Sequence, residues 1–182
     1  MDVRAEQPGD RASVLELHRK AFGDEGGRVA SLVEALAPSV EGGEGISLVA
    51  EVEGEVAGHV MFTPSLLDAP RRLVEVSVLS PLGVAPAHQG HGVGSALVRA
   101  GLEETARRSL PLVFLEGSPA YYRRFGFVAG GGLGFRKPSL RVPDEAFQVR
   151  ALAAYETWMT GTLVYAEAFW RCDCVGLRDR EA

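Results

Sequence analysis

The chain has 182 residues, a length that fits one domain, and its 46% hydrophobic and 24% charged residues are typical of a globular protein. A formal net charge of −5 argues against nucleic acid as a partner, because binding phosphates requires a basic surface. No apolar run approaches about 20 residues and the N-terminus has no apolar core. We therefore expect no membrane span, no signal peptide and a cytoplasmic location.

The two cysteines, Cys172 and Cys174, are one residue apart and give no useful disulfide framework. A C-x-C pair could supply half of a metal site, but no cluster of His or Cys residues completes one. We therefore predict that no metal is bound and that both cysteines are free thiols near the C-terminus.

The first third of the chain predicts one strand, two helices and two further strands. "DVRAE" alternates apolar and polar residues, as in a short strand, and Asp10 is placed to cap a helix that Gly23 ends. His18 on this helix is interpreted as a rim residue, and a second helix fits residues 27–37. Two strands, "ISLVAEV" and "VAGHVMFT", are joined by a tight turn at Gly54.

The following segments are predicted from their β-rich and helical patterns. Residues 63–72 read as a loop or widened bend, and residues 73–84 as a long β-rich run that Pro81 interrupts. A helix in "GVGSALVRAGLEETARRS", a strand in "LPLVFLEG" and a short helix in "PAYYRRFG", ended by Gly126, come next. "AFQVRAL" and "GTLVYAEAF" are strand-like, and the last dozen residues appear frayed in the pattern.

The order β-α-α-β-β-β-α-β-α followed by more strands predicts the fold class. Mixed strands and helices in one unit indicate an α+β domain of two or three layers, not a regular βαβ series. We expect a single domain over residues 1–182, in which residues 139–182 add C-terminal strands and a tail.

The stretch "AHQGHGVGSALV" places glycines at 90, 92 and 94 immediately before a helical pattern. Backbone N–H groups at a helix start have no internal partner and carry the positive end of the helix dipole. Glycine lets a pyrophosphate approach the backbone closely and permits a positive φ. The pattern predicts a turn that wraps a diphosphate; the alternative is a turn that needs glycine only for its own shape.

Three phosphate-binding motifs compete for this stretch. A P-loop requires a lysine that is absent here, and in a Rossmann G-x-G-x-x-G the third glycine would come one place later. The pattern Q/R-x-x-G-x-G/A is matched by Gln89, Gly92 and Gly94.

The segment "SVLSPLGVAPAHQGHGVGSALVRAGLEETARR" resembles the central motif of the GCN5-related N-acetyltransferases (GNAT). It has a strand ending in L-x-V, a P-x-x-Q link, the glycine turn and an amphipathic helix. "YYRRFGF" is similar to the Y-x-x-x-G-F segment of that family, and "FLEGSPAYYRRFGF" with "LVYAEAF" resembles its YhbS-like branch. The resemblance covers about residues 1–170 and implies the GNAT fold, a mixed central sheet splayed between its fourth and fifth strands with helices on both faces.

The resemblance implies that acetyl-CoA, the cosubstrate, lies between the fourth and fifth strands, residues 73–84 and 112–116. The backbone of three residues would pair with the pantetheine arm like an added strand; these are Leu82, Gly83 and Val84. The N–H groups of seven residues would hold the pyrophosphate; these are Gln89, Gly90, His91, Gly92, Val93, Gly94 and Ser95. His91 could equally be a solvent-exposed position of the motif.

Tyr122 stands four residues before Gly126 and matches the tyrosine that family members often place beside the CoA sulfur. It would be the general acid that protonates the leaving thiolate, since a phenol with a pKa near 10 is protonated at pH 7. The alternative is an aromatic side chain that only packs. Leu115 stands where many relatives carry an asparagine, which removes a side-chain contact to pantetheine.

The general base is not decided by the resemblance. The position equivalent to the glutamate of some relatives is about Val78, and the carboxylates nearby or on other strands are Glu75, Glu51 and Glu116. A chain of water molecules is equally consistent with the sequence, because proximity alone supplies much of the rate.

The function implied is transfer of the acetyl group of acetyl-CoA to a primary amine by direct attack in a ternary complex. A non-catalytic acyl-CoA-binding or sensor module and a dinucleotide-dependent oxidoreductase are the alternatives. The expected partner is a small-molecule or peptide amine, with a homodimer as an open alternative to a monomer, and we expect neither nucleic acid nor a membrane as a partner. Asp24, Glu25 and Glu34 favour a cationic amine. Residues 139–182 are expected to shape the acceptor pocket or a dimer edge.

Overall fold

The computed structural model describes residues 1–178. Within them, nine strands are formed: β1 (Asp2–Ala5), β2 (Ile46–Val52), β3 (Glu55–Asp68), β4 (Leu73–Val84), β5 (Leu112–Glu116), β6 (Val128–Ala129), β7 (Phe135–Arg136), β8 (Phe147–Ala151) and β9 (Gly161–Val164). The same residues form five α-helices: α1 (Arg11–Ala21), α2 (Gly26–Glu41), α3 (Val93–Arg107), α4 (Pro119–Tyr122) and α5 (Glu167–Arg171). None of these helices is long and apolar enough to cross a membrane.

The chain divides into two compact units, and β3 and β4 each contribute a segment to both. The first unit comprises residues 1–63 and 79–107, and the second comprises residues 64–78 and the chain from residue 108 onward. The expectation of a single domain over the whole chain stays a prediction.

In the first unit, β1, β2 and the first part of β3 form an antiparallel sheet, with Val49 of β2 opposite His59 of β3. Successive strand residues face opposite sides of a sheet. His59 contacts His18 of α1, whereas a side chain on Gly58 would lie 2.6 Å from Val93 of α3. Helices α1 and α3 therefore cover opposite faces of this part of the sheet.

In the second unit, β4 pairs with β5 in parallel, through Ser77 opposite Val113 and Val78 opposite Phe114. Strand β8 lies antiparallel to both β5 and β6. On the other side, β9 pairs antiparallel with β3 and parallel with β7. Parallel and antiparallel pairs thus occur in one sheet, which confirms the predicted mixed α+β fold class.

The prediction of a loop or widened bend over residues 63–72 is wrong for the first half of that segment, because β3 continues to Asp68. Its inward positions carry Thr63, Ser65 and Leu67, all buried. Two of these are polar, so the alternation of apolar and polar residues that marks a half-buried strand is hidden. The pairing of Leu66–Asp68 with β9 keeps this part extended.

Three other expectations change. Pro81 does not interrupt β4, which runs through it to Val84. The predicted strand "GTLVYAEAF" ends at Val164, and α5 follows because Phe169 is buried one helical turn from Tyr165, with ring centroids 4.8 Å apart. The last dozen residues are not wholly frayed, since Val175 is buried; residues 179–182 lie outside the described part.

The first unit has a polar chain inside its core. Glu6 accepts a hydrogen bond from Arg11 Nε at 2.7 Å through one carboxylate oxygen and from Ser47 Oγ at 2.5 Å through the other. Ser47 Oγ lies 2.8 Å from His59 Nε2, and His59 Nδ1 lies 2.7 Å from His18 Nε2. Both imidazoles are fully buried. The prediction that His18 is a rim residue is therefore wrong.

His18 is buried because α1 turns one face to the sheet, and Val14 and Leu17 lie on that face with it. Burial lowers the pKa of His18 to about 3, and it also lowers the pKa of His59, because both lose water around the charged form. The pKa of Glu6 lies at about 2: burial raises it, but its hydrogen bonds to His59, Arg11 and Ser47 lower it by more. The buried polar chain from Glu6 to His18 therefore consists of a carboxylate linked through Ser47 to two neutral imidazoles.

Helix α3 packs so closely on β3 that Gly101 has no room for a side chain, and a methyl group there would overlap the ring of Phe62. We expect Gly101→Ala to destabilise the protein by about 1–3 kcal/mol, the usual cost of overpacking a core. Gly27→Ala on α2 is the control, since nothing lies within 4 Å of that position. It should leave stability unchanged or raise it by up to about 1 kcal/mol. Urea unfolding of the two variants measures both effects, and equal midpoints would contradict this packing.

Stability should fall as the pH is lowered below 6.5. The unfolded chain protonates His18 at about its ordinary pKa of 6.5, whereas the folded chain does so only near pH 3. Between these values the unfolded state binds more protons, so protons favour unfolding. Glu6 acts in the same direction below its ordinary pKa of 4.5.

Urea unfolding at pH steps from 7 to 4 tests this. Between pH 6.5 and 4.5 the loss of stability should come mainly from the buried histidines, and His18→Gln should make it shallower. A His18→Gln variant with the wild-type slope in that window would contradict the assignment.

Candidate active site

The turn before α3 needs glycine at two positions. Gly90 has φ of +77° and Gly92 has φ of +85°, a left-handed conformation that other residues adopt only at a cost. Nothing lies within 4 Å of where a side chain would start at either position, so the space beside the turn is open. Gly94 differs, because it is buried in the first turn of α3.

The start of α3 presents backbone donors. The N–H of Ala96 donates to the carbonyl of Gly92 at 3.0 Å, and this bond begins the helical ladder. The N–H groups of Val93, Gly94 and Ser95 precede that bond and have no partner within the helix. With the positive end of the helix dipole at the same place, the turn is suited to an anion such as a phosphate.

Gln89 fastens the turn to the end of β4. Its side-chain amide donates to the carbonyl of Val84 at 3.1 Å, and its backbone N–H lies 3.4 Å from the carbonyl of Pro86. The Gln89 N–H therefore already has a partner, unlike those at the start of α3. His91 is exposed at the tip of the turn, and His88 is half-buried.

Leu82, Gly83 and Val84 are the last residues of β4, and Gly83 is the buried one. A methyl group on Gly83 would lie 2.7 Å from His18 Nδ1 and 2.9 Å from a methyl carbon of Leu17. Only glycine at this position lets α1 lie directly on the strand. The end of the buried polar chain of the first unit therefore adjoins the strand residue Gly83.

In the second unit, Tyr122 at the end of α4 belongs to an aromatic cluster. Its ring centroid lies 4.9 Å from that of Tyr121 and 5.7 Å from that of Phe127. It also packs over Gly117, where a methyl group would be 2.5 Å from the ring. Burial raises the pKa of Tyr122 above its usual value, and the neighbouring Tyr121 adds to this, so the phenol is protonated at neutral pH.

Glu116, at the end of β5, is already engaged at both carboxylate oxygens. Tyr165 Oη donates to one oxygen at 2.9 Å, and the N–H of Gly176 donates to the other at 2.9 Å. Burial nevertheless raises the pKa of Glu116, although these two bonds act against the rise. This carboxylate holds the C-terminal segment in place, which is an alternative to the predicted role as a base.

The other carboxylates considered as bases lie at the surface. Glu51 accepts hydrogen bonds from Arg4 at 3.0 and 3.2 Å, beside the pair that Arg4 forms with Asp10. Glu75 is exposed on β4. Val78 and Leu115, the positions at which the sequence departs from the motif implied by the resemblance, are fully buried.

Sequence reasoning missed His59 and the role of His18 in the core. The one available signal was that each histidine stands in an otherwise apolar face, at Val14-Leu17-His18 of α1 and in "GHVMF" of β3. Their proximity could not be deduced, because they are 41 residues apart and meet only when α1 packs on the sheet.

The acidic residues expected near the acceptor are partly neutralised. Glu25 forms an ion pair with Arg28 one turn later, whereas Asp24 and Glu34 are exposed. Within the described residues, neither Cys172 nor Cys174 forms a disulfide, and no group of three or more His, Cys, Asp or Glu residues could hold a metal ion.

The second unit contains an open cavity of about 740 Å³, and the C-terminal segment contributes to its lining. Phe135 and Phe147 form apolar walls, and Asp144 and Glu145 lie at the polar side. Asp144 is paired with Lys137 at 2.6 Å, so this cavity carries little net charge from that pair.

Comparison with known proteins finds a matching family model and a similar curated protein, and both are acetyltransferases. Residues 2–130 match the model of the acetyltransferase (GNAT) domain. The chain is 31% identical over 162 residues to the uncharacterised N-acetyltransferase YjhQ of Escherichia coli K12, covering 87% of this chain and 88% of that protein.

Two solved structures are similar over nearly the whole chain. The GNAT family N-acetyltransferase YhbS of Escherichia coli, in complex with CoA, has a TM-score of 0.80 and 31% identity, covering 93% of this chain and 92% of that one. A GNAT family acetyltransferase of Brucella melitensis, in complex with acetyl-CoA, has a TM-score of 0.73 and 30% identity, covering 92% and 97%. With the glycine turn, the mixed sheet and these relatives in agreement, the chain belongs to the GNAT family of acetyltransferases.

Proposed function

We propose that this protein transfers the acetyl group of acetyl-CoA to a primary amine, by direct attack of the amine on the thioester in a ternary complex. The observation that carries the proposal is the left-handed pair Gly90 and Gly92 ahead of α3, in a chain that belongs to an acetyltransferase family. The CoA complex of YhbS and the acetyl-CoA complex of the Brucella protein support the choice of cosubstrate.

The pyrophosphate of acetyl-CoA is held by backbone N–H groups of the turn and of the first turn of α3. The residues proposed for this are Gly90, His91, Gly92, Val93, Gly94 and Ser95, whereas Gln89, whose N–H already donates to Pro86, is proposed to support the turn through its side chain. The open space beside Gly90 and Gly92 leaves room for a bulky phosphate group. The main chain of Leu82, Gly83 and Val84 pairs with the pantetheine arm, and the side chain of Gln89 fixes the end of that strand.

Tyr122 is proposed to protonate the departing CoA thiolate. A general acid must carry its proton at the working pH, and the raised pKa of Tyr122 ensures that it does. Holding the amine and the thioester together supplies much of the remaining rate, because a bimolecular reaction becomes effectively unimolecular.

The acceptor is proposed to be a small-molecule or peptide amine. The exposed carboxylates Asp24 and Glu34 are compatible with a cationic amine. A homodimer and a cytoplasmic location stay predictions of the sequence.

Titration of the purified protein with acetyl-CoA by calorimetry, followed by measurement of CoA–SH release with a panel of primary amines, tests the proposal. Binding with turnover supports a transferase. Binding without turnover on any amine favours a module that only binds acyl-CoA. Failure to bind acetyl-CoA would remove the basis of the proposed function.

Gly92→Trp should abolish CoA binding, because the indole would fill the open space beside the turn and the backbone would resist φ of +85°. Gly43→Trp is a matched control, since Gly43 has φ of +83° and also has nothing within 4 Å, but lies in the loop after α2. Both changes carry a similar backbone strain of about 1–2 kcal/mol. Calorimetry should find CoA binding lost only in Gly92→Trp, and retention there would contradict the proposed phosphate turn.

Tyr122→Phe should lower kcat by about 10²-fold or more, the usual contribution of a general acid, and leave the Kd for CoA nearly unchanged. Tyr121→Phe is the neighbouring control, since it removes the same hydroxyl from an adjacent ring and keeps the ring beneath Arg124, 4.9 Å away. Rates of CoA–SH release compare the two variants. Equal losses in both would assign the tyrosines to packing.

A further inference from the structure

The buried polar chain has a direction that its hydrogen bonds define. The Glu6 carboxylate can only accept, so Ser47 Oγ–H must point to it. Ser47 Oγ then accepts from His59 Nε2–H, which leaves His59 Nδ1 as an acceptor. His18 Nε2–H donates to that atom at 2.7 Å. His18 is thereby fixed as the Nε2–H tautomer, with a lone pair on Nδ1.

That lone pair has no hydrogen-bond partner among the residues that the structure describes, although the atom is buried. Buried polar atoms are nearly always paired, so an unpaired one calls for an explanation, and a catalytic role or a bound water molecule each provides one. It lies against Gly83, the middle residue of the three proposed to hold pantetheine. The ring of Phe22 stacks on the His18 imidazole with centroids 5.7 Å apart and is itself 37% exposed, so this cover is a surface side chain and not core packing.

We propose that His18 Nδ1 is the proton acceptor of the acetyl transfer and that His59, Ser47 and Glu6 form the relay that positions it. This inference rests on the proposed function. With His18 as the proton acceptor, the reaction requires none of the carboxylates Glu51, Glu75 and Glu116 as a base.

The chemical step balances with the groups already named. The lone pair of a neutral amine forms a C–N bond with the thioester carbonyl carbon, and the C–S bond breaks. One N–H bond of the amine breaks, and its proton forms a bond with His18 Nδ1. The departing thiolate takes one proton from Tyr122. Each residue then exchanges one proton with solvent, so the sum is amine plus acetyl-CoA giving amide plus CoA–SH.

The proposed acceptor is a weakly basic imidazole, so it takes the proton only once C–N bond formation has made that proton acidic. At neutral pH the buried ring is uncharged and carries its one proton on Nε2, so the lone pair on Nδ1 is available. As the C–N bond forms, the amine nitrogen becomes positively charged and its proton becomes acidic, so it can pass to a neutral imidazole. The charged and titratable groups that face the relay are Glu6 after β1, Arg11 of α1 and His59 of β3; the Glu6 carboxylate stabilises the positive charge that forms, whereas Arg11 and His59 act against it.

Two variants separate proton transfer from structure. The amide of Gln reaches the position of Nε2, so His18→Gln keeps a donor to His59 but has no atom at Nδ1. The oxygen of Asn lies near the position of Nδ1, so His18→Asn keeps an acceptor there. With n-butylamine as the probe, His18→Gln should lower kcat/KM by about 10²-fold or more. His18→Asn should lose a similar factor, because an amide oxygen accepts a hydrogen bond but is too weakly basic to take a proton, and His88→Gln, outside the relay, should match wild type.

Hydroxylamine serves as a second nucleophile, because its weakly basic nitrogen gives up its proton to water more readily. His18→Gln should retain most activity with hydroxylamine if His18 accepts the proton, and should lose activity with both nucleophiles if it only supports the fold. Calorimetry with CoA and the unfolding midpoint establish that each variant is folded and binds the cosubstrate. If wild type binds no acetyl-CoA the proposed function fails; if it turns over n-butylamine and His18→Gln does so equally well, only this inference fails.

NMR of protein labelled with ¹⁵N-histidine gives an answer that does not depend on the acceptor. Only four histidines are present in the sequence, and single His→Gln variants assign each one. At pH 7 we expect His18 and His59 to be neutral Nε2–H tautomers, with the Nδ1 resonance of His18 shifting when acetyl-CoA is added. A proton on Nδ1 of His18, or a resonance unmoved by bound acetyl-CoA, would overturn the inference.

Discussion

A carboxylate inside a protein must be paired, and the pairing of Glu6 connects four elements of the first unit. Its oxygens are held by Arg11 of α1 and Ser47 of β2, and through Ser47 the contact continues to His59 of β3 and back to His18 of α1. Removing one member would leave a buried polar group without a partner, which costs about 1–3 kcal/mol. These hydrogen bonds help to hold α1 on the sheet, where His18 lies against Gly83.

Glycine serves two separate purposes in this protein. At Gly92 it provides a left-handed backbone with open space beside it, which is what a bound phosphate requires. At Gly83, Gly101 and Gly117 it provides the absence of a side chain, so that His18, Phe62 and Tyr122 can approach the backbone. Substitution at the first kind of position should affect ligand binding, and substitution at the second kind should affect packing.

Burial fixes the protonation states of the proposed acid and base, and it also makes each of them weaker. Loss of water raises the pKa of Tyr122 and keeps the phenol protonated, and it lowers the pKa of His18 and keeps the imidazole neutral. An acid with its proton and a base without one are the states that each role requires. Glu116 differs, because its oxygens are held by Tyr165 and Gly176. Glu116, which the sequence offered as a candidate base, is thus already engaged in structural hydrogen bonds.

The sequence by itself determined the family, most of the elements and the glycine turn before α3, because these depend on neighbouring residues. A left-handed turn before a helix is encoded by glycines at 90 and 92 alone, and an amphipathic helix by its own periodicity. Local patterns failed where the environment was distant: β3 extends to Asp68 because β9 pairs with it, and α5 forms because Phe169 is buried. The tertiary structure alone decided the relay from Glu6 to His18, since its hydrogen-bonded partners are up to 41 residues apart in sequence and only packing brings them within hydrogen-bonding distance.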